Sequence, residues 1–139
     1  MRYLGLDLGT KTLGISISDD TKTIASSLTT IRFKESSDEA IEELKVIMNK
    51  YNIEKIILGF PKNMNNSVGE KGESAIAFKE KLEKIFNICV ILEDERLTTR
   101  IAENVLINAD MSRKKRKKVI DKIASSVILQ SYLDKEGRK

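Results

Sequence analysis

The apolar residues of this 139-residue chain change their spacing once, near residue 35, and that change limits the folds open to it. Before it they alternate. Tyr3, Leu4, Leu6 and Leu8 give a strand over residues 2–8, Leu13, Ile15 and Ile17 a second, and residues 23–31 a third, weaker one. Gly9-Thr10-Lys11 and Asp19-Asp20-Thr21 supply the turns. After the change, Ala40, Ile41, Leu44, Ile47, Met48 and Tyr51 recur at helical spacing, with Ser36 or Ser37 placed to cap. Lys55–Leu58 reads as a short buried strand, and Ala75, Phe78, Leu82, Ile85 and Phe86 as a second helix. Ile88–Leu92 makes a fifth strand, Ile101 to Ala109 a third helix, and a last helix runs from a cap at Ser112 to about Asp134. The order β-β-β-α-β-α-β-α-α predicts one α/β domain over residues 1–139, a five-stranded mixed sheet flanked by helices on both faces.

The carboxyl ends of the parallel strands, at Asp7, Gly59 and Glu93 to Glu95, are expected to share one edge, where open α/β sheets bind ligands. The polar stretch from Gly59 to Gly72 holds the single proline, Pro61, and forms a long loop, a kind of loop that more often serves function than not.

Composition narrows the chemistry. The chain has no histidine and one cysteine, so catalysis would have to rest on carboxylates, hydroxyls, lysines, backbone groups and a bound cation. Cys89 cannot pair within the chain; it is expected in the core, which fits a reducing cytoplasm. No apolar run approaches the roughly 20 residues of a membrane span. The first residues read directly as a strand, without a basic–apolar–small signal pattern.

Three acids stand out. Asp7 ends the first strand and opens Asp7-Leu8-Gly9-Thr10-Lys11, where Gly9 lets backbone approach an anion and Thr10 and Lys11 supply donors. An Asp there is more often a simple turn former. Glu95 follows the fifth strand in a run that a solvated strand end would also explain. Asp121 lies in the last helix at the edge of a stripe made by Val119, Ile120, Ile123, Ala124, Val127 and Ile128. It could equally pair with Lys117 or Lys122. If the three acids converge they repel one another unless a cation sits among them. Mg²⁺ accepts oxygen ligands alone, and one or two such ions support phosphodiester hydrolysis without histidine.

Arg113, Lys114, Lys115, Arg116, Lys117 and Lys118 are six consecutive cations. The net charge is +4; without these six, 19 basic and 21 acidic residues remain, so the positive balance is local. They occupy the first turns of a helix, where the dipole is already positive. A solvated face is the ordinary explanation of such a run, but phosphates would answer both the cations and the helix end. With 5% aromatic residues and no Trp, a base-stacking platform is not expected.

Four segments occur together in order: Asp7-x-Gly9-Thr10-Lys11-x-x-Gly14, Gly59-Phe60-Pro61-x-Asn63-Met64, Asp94-Glu95-Arg96-Leu97-Thr98-Thr99 and Asp121-x-x-Ala124. In this set the chain resembles the YqgF/RuvX family, described as pre-16S ribosomal RNA nucleases and Holliday-junction-resolvase-like proteins. The resemblance covers essentially the whole chain. It implies a ribonuclease-H-like fold, a bacterial cytoplasmic protein and nuclease action in 5′-end maturation of precursor 16S ribosomal RNA, with the small ribosomal subunit as a potential partner. It further implies that Asp7, Glu95 and Asp121 bind Mg²⁺ or Mn²⁺, with Asp7 bridging two ions, and that Lys11, Arg96 and residues 113–118 hold phosphates. Gly9, Thr10, Gly14, Gly59 and Pro61 fall on the family's loop and structural positions. One departure is Asn66, where the family usually has Gly; asparagine tolerates the left-handed backbone better than most residues.

Rival readings share single motifs. Actin-like kinases and ATPases also carry Asp-x-Gly-Thr, but need two such domains. A Holliday-junction resolvase would share the acids and cut branched DNA as a two-fold dimer. A non-catalytic RNA-binding or transcription factor would need only the basic run. The oligomeric state is left open by the sequence.

Overall fold

The computed structural model describes residues 1–9, 11–60, 70–94 and 113–137, with backbone alone for 70, 71 and 113–122. Among these are strands β1 (Arg2–Leu8), β2 (Thr12–Ser18), β3 (Ala25–Arg32), β4 (Ile53–Phe60) and β5 (Cys89–Asp94), and helices α1 (Asp38–Lys50), α2 (Glu70–Phe86) and α3 (Arg113–Gly137). They form one five-stranded sheet in the order β3-β2-β1-β4-β5. The first three strands are antiparallel, as their short turns require, and β1, β4 and β5 run parallel through helical crossovers. The expected helix over 101–109 lies outside the described residues.

Alternation along each strand divides the side chains between two layers. Leu4 and Leu6, Leu13, Ile15 and Ile17, Ile56 and Leu58, and Val90 face α1 and α2, where Ala40, Ile41, Leu44, Ala75, Phe78 and Leu82 complete the larger core. The other face carries a smaller apolar cluster, Tyr3 and Ile57 against Ile128, Leu129 and Leu133 of α3. The helices therefore cover both faces, as the residue pattern predicts.

The start of α1 is fixed by a reciprocal pair. Ser36 Oγ accepts from the Asp38 N–H at 3.2 Å, while the Glu39 carboxylate accepts from the N–H groups of Glu35 and Ser36 at 2.7 and 2.9 Å. Ser36 thus caps, and Ser37 makes no capping bond through its side chain.

Three expectations fail. The stretch from Gly59 to Gly72, read as one loop, begins inside β4, which holds Gly59 and Phe60, and ends inside α2, which holds residues 70–72, because the sheet pairing of Gly59 with Glu93 and the first turn of the helix extend past the polar residues that suggested loop. Cys89 is exposed rather than in the core. The apolar run hid a strand alternation, in which Val90 turns inward at 2% exposure and Cys89 faces the other way. The buried face of α3 is also displaced from the expected stripe. Ser125, Ile128, Leu129 and Leu133 are buried, whereas Ile123, Ala124 and Val127 are only half-buried. Ser125 packs directly over Gly5 and Gly14, and hydrophobicity alone does not register a position that a small hydroxyl residue fills.

Candidate active site at the carboxyl edge of the sheet

β1 is the central strand, and Asp7 lies near its carboxyl end, half-buried, directly opposite Gly14 of β2. Leu6 pairs with Leu58 in β4, and Gly59 pairs with Glu93 in β5. The ends of all three parallel strands thus reach the same edge, as expected from the strand order. Gly9 closes the turn into β2, its N–H donating to the Thr12 carbonyl at 2.8 Å. A Cβ at Gly9 would stand 2.8 Å from Thr12 Oγ1, so a larger residue here would require the Thr12 side chain to shift. Lys11 is exposed beside it, and its ammonium donates to the Lys34 carbonyl. Gly14 lies within β2 and Gly59 within β4, both buried.

α3 runs against the direction of β1. Its far end meets Tyr3, whose hydroxyl donates to Glu136 Oε1 at 2.7 Å. Nearer its start, Ser125 Oγ donates to the Gly5 carbonyl at 2.9 Å. Ser125 Cβ and Asp7 Cβ stand 3.5 and 3.7 Å from the point where a Cβ on Gly14 would be. Position 121 is one turn before Ser125, about 6 Å further along the axis toward the sheet edge. At 100° per residue it falls about 40° from Ser125 around the helix axis. The helix thus carries position 121 toward Asp7.

Glu93 is an acid that sequence reasoning did not single out. It is 5% exposed, on the sheet face that α3 covers, and its carboxylate pairs with the Lys135 ammonium. Only its place in the strand alternation could have distinguished it from the neighbouring acids. Among the described residues, no group of three or more His, Cys, Asp or Glu could hold a metal ion. Thr10, Pro61, Glu95 and Arg96 lie outside the described residues, as do the side chains of Arg113, Lys114, Lys115, Arg116, Lys117, Lys118 and Asp121. No helix among the described residues is long and apolar enough to cross a membrane.

Comparison with known proteins agrees with this architecture. Residues 1–135 match the family model of RuvX, described as Holliday junction resolvase. A protein of Caldanaerobacter subterraneus named "Putative pre-16S rRNA nuclease" is 55% identical over 137 residues, 98% of each chain. A Bacillus subtilis protein of the same name is 53% identical over 135 residues, 96% of this chain and 98% of that one. Among solved structures, Thermus thermophilus RuvC in complex with Holliday junction substrate superposes with a TM-score of 0.58 at 11% identity, covering 100% of this chain and 97% of that one. That likeness fixes the fold as ribonuclease-H-like. By a match that runs through all five strands and nearly all of α3, the chain belongs to the RuvX Holliday junction resolvase family.

Proposed function

We propose that the protein is a divalent-metal-dependent nuclease that hydrolyses phosphodiester bonds at the carboxyl edge of the sheet, acting in the cytoplasm on the 5′ end of precursor 16S ribosomal RNA. The observation that carries the site is the seat of Ser125 beside Gly14, which draws position 121 of α3 toward Asp7. The names of the relatives supply the substrate class. In this reading Asp7, Glu95 and Asp121 hold Mg²⁺ or Mn²⁺, as one or two ions. The donors suit such an ion: carboxylate oxygens only, in a chain without histidine. When bound, the metal supplies the charge that lowers the pKa of the attacking water and neutralises the departing oxygen.

The residues of the chain then have distinct tasks. Asp7, on the central strand, is held by its pairing with Gly14 of β2, one residue beyond the Leu6–Leu58 pair of β1 with β4. Glu95 follows β5 in the sequence and Asp121 belongs to α3, so in this reading the three acids are supplied by three separate elements. Lys11, Arg96 and residues 113–118 bind phosphates of the strand being cut and so fix its direction through the site. Hydrolysis adds water across the P–O bond, leaving a phosphate on one fragment and a hydroxyl on the other.

The test is cleavage of precursor ribosomal RNA with and without Mg²⁺ or Mn²⁺ by the wild type and Asp7→Asn. Cleavage is expected to fall at least 100-fold in the variant, with RNA affinity within about twofold of wild type. Undiminished cleavage would sink the carboxylate mechanism.

The family description and the RuvC-like fold favour a second reading, in which the substrate is a four-way DNA junction. That activity needs two sites related by a two-fold axis. A stable dimer that resolves junctions and leaves ribosomal RNA ends intact would select it.

A further inference from the structure

One contact between α3 and the sheet is built from two buried serine hydroxyls, and neither serine has a task in the reaction outlined above. Ser16 is 0% and Ser125 3% exposed. Ser125 Oγ donates to the Gly5 carbonyl at 2.9 Å, and Ser16 Oγ donates to the Ser125 carbonyl at 2.9 Å. The two hydroxyl oxygens are themselves 2.9 Å apart. Two hydroxyl protons thus serve three contacts, and one is shared.

The contact is possible only because residue 5 has no side chain. A Cβ there would stand 2.3 Å from Ser16 Oγ, 2.8 Å from Leu129 Cβ and 3.2 Å from the Ser125 carbonyl oxygen. Burial alone would not call for two serines, since hydroxyls are costly to desolvate and their hydrogen bonds return little net stability. Hydrogen bonds do supply direction. Leu129 and Leu133 can slide along an apolar surface at small cost, but a hydroxyl bound to one backbone carbonyl fixes the helix along its own axis. The fixed point is one turn from position 121, and Ser125 borders the same Gly14 surface as Asp7.

We infer that Ser16 and Ser125, seated on Gly5, are positioning residues that hold position 121 of α3 at the level of Asp7 and so set the spacing of the metal-binding carboxylates. This rests on the reading that Asp7 and Asp121 bind a common ion. The serines touch neither ion nor substrate; they act through the helix.

The test compares wild type with Ser16→Ala, Ser125→Ala and the double variant in three measurements. These are Mn²⁺ affinity by calorimetry without RNA, kcat and KM on precursor ribosomal RNA, and the thermal midpoint. The double variant removes both hydroxyls together and strands no buried donor, so it should stay folded. The expected result is an approximately tenfold weaker Mn²⁺ affinity and an approximately tenfold lower kcat, with KM for RNA unchanged, within the range that a misplacement of about 1 Å produces. Wild-type Mn²⁺ affinity and kcat in the double variant would overturn the inference, whatever its midpoint. If the double variant does not fold, Ser16→Ala decides by the same criteria at about threefold. Wild-type protein that binds no Mn²⁺ would overturn the functional reading itself, a failure distinguishable because it appears without any substitution.

Discussion

Tyr3 and Glu136 are 133 positions apart in the chain, and the hydroxyl of the first donates to the carboxylate of the second at 2.7 Å. The Tyr132 ring lies 5.9 Å from that of Tyr3, tilted by 54°. One carboxylate therefore ties the central strand to the last turn of the last helix. Tyr3→Phe keeps the ring and removes the bond to a charged acceptor, a change worth about 1.5–3 kcal/mol. Urea denaturation should show that loss of stability.

The same cluster should make the protein sensitive to alkali. Burial first, and then the Glu136 carboxylate, raise both tyrosine hydroxyls, that of Tyr132 to about 12. In the unfolded chain they ionise near the ordinary value of 10.0. The folded state then holds protons that the unfolded state has lost. The stabilisation is complete below pH 10 and disappears as the pH rises through about 12 for Tyr132. Thermal midpoints should fall across that window, and Tyr132→Phe should flatten the decline. An equally steep fall in the variant would locate the effect elsewhere.

Asp19 contributes on the acid side, as Glu39, Glu54 and Glu83 do. Its carboxylate accepts from the Thr21 hydroxyl at 2.6 Å and from the N–H groups of Thr23 and Ile24 at 2.8 and 3.2 Å, binding the turn between β2 and β3. Led by the Thr21 hydroxyl, these donors lower its pKa from 3.8 to about 2. The contribution is present above pH 3.8 and lost as the pH falls through about 2. Asp19→Asn should therefore lower the midpoint at pH 6 and narrow the gap from wild type toward pH 2. A gap that stays constant with pH would mean that the ionised form is not what holds the turn.

Gly5→Ala places a methyl group 2.3 Å from Ser16 Oγ and 2.8 Å from Leu129 Cβ. Overpacking of this kind costs about 1–3 kcal/mol. Combining it with Ser16→Ala removes the shorter contact, so the double variant should be less destabilised than the sum of the two single changes. Strict additivity in denaturation experiments would contradict the close approach described here.

Replacing Lys114, Lys115 and Lys118 by Gln should weaken RNA binding across unrelated sequences. Each lost phosphate contact lowers the slope of log affinity against log salt by about 0.7, so the three together should flatten it by about 2. An unaltered slope would return those residues to the role of a solvated helix face.

Much of the architecture was legible because it is local. The alternation of Leu13, Ile15 and Ile17 and the helical spacing of Ala40, Ile41 and Leu44 gave the right elements, and all of these residues are buried. Asp7 could be placed at the edge because a parallel sheet brings its strand ends together. The buried face of α3 was less legible. It carries Ser125, Tyr132 and Glu136, polar residues that earn their places through Gly5, Ser16 and Tyr3, and no periodicity in the helix announces partners more than 100 positions away. Glu93 was passed over and Cys89 misplaced for a related reason. A continuous apolar run conceals which residues of a strand face which way.

The order of the elements has a consequence for synthesis. β1 is the middle of the sheet and emerges from the ribosome before the other described elements, whereas α3, which covers one of its faces, emerges after them. During translation α1, α2 and the five strands can assemble around the larger core while Tyr3, Gly5 and Ile57 wait uncovered. The nascent polypeptide must carry that bare surface until residue 136 clears the exit tunnel. A stalled or shortened product would expose it for good, a form that chaperones and proteases would be expected to recognise.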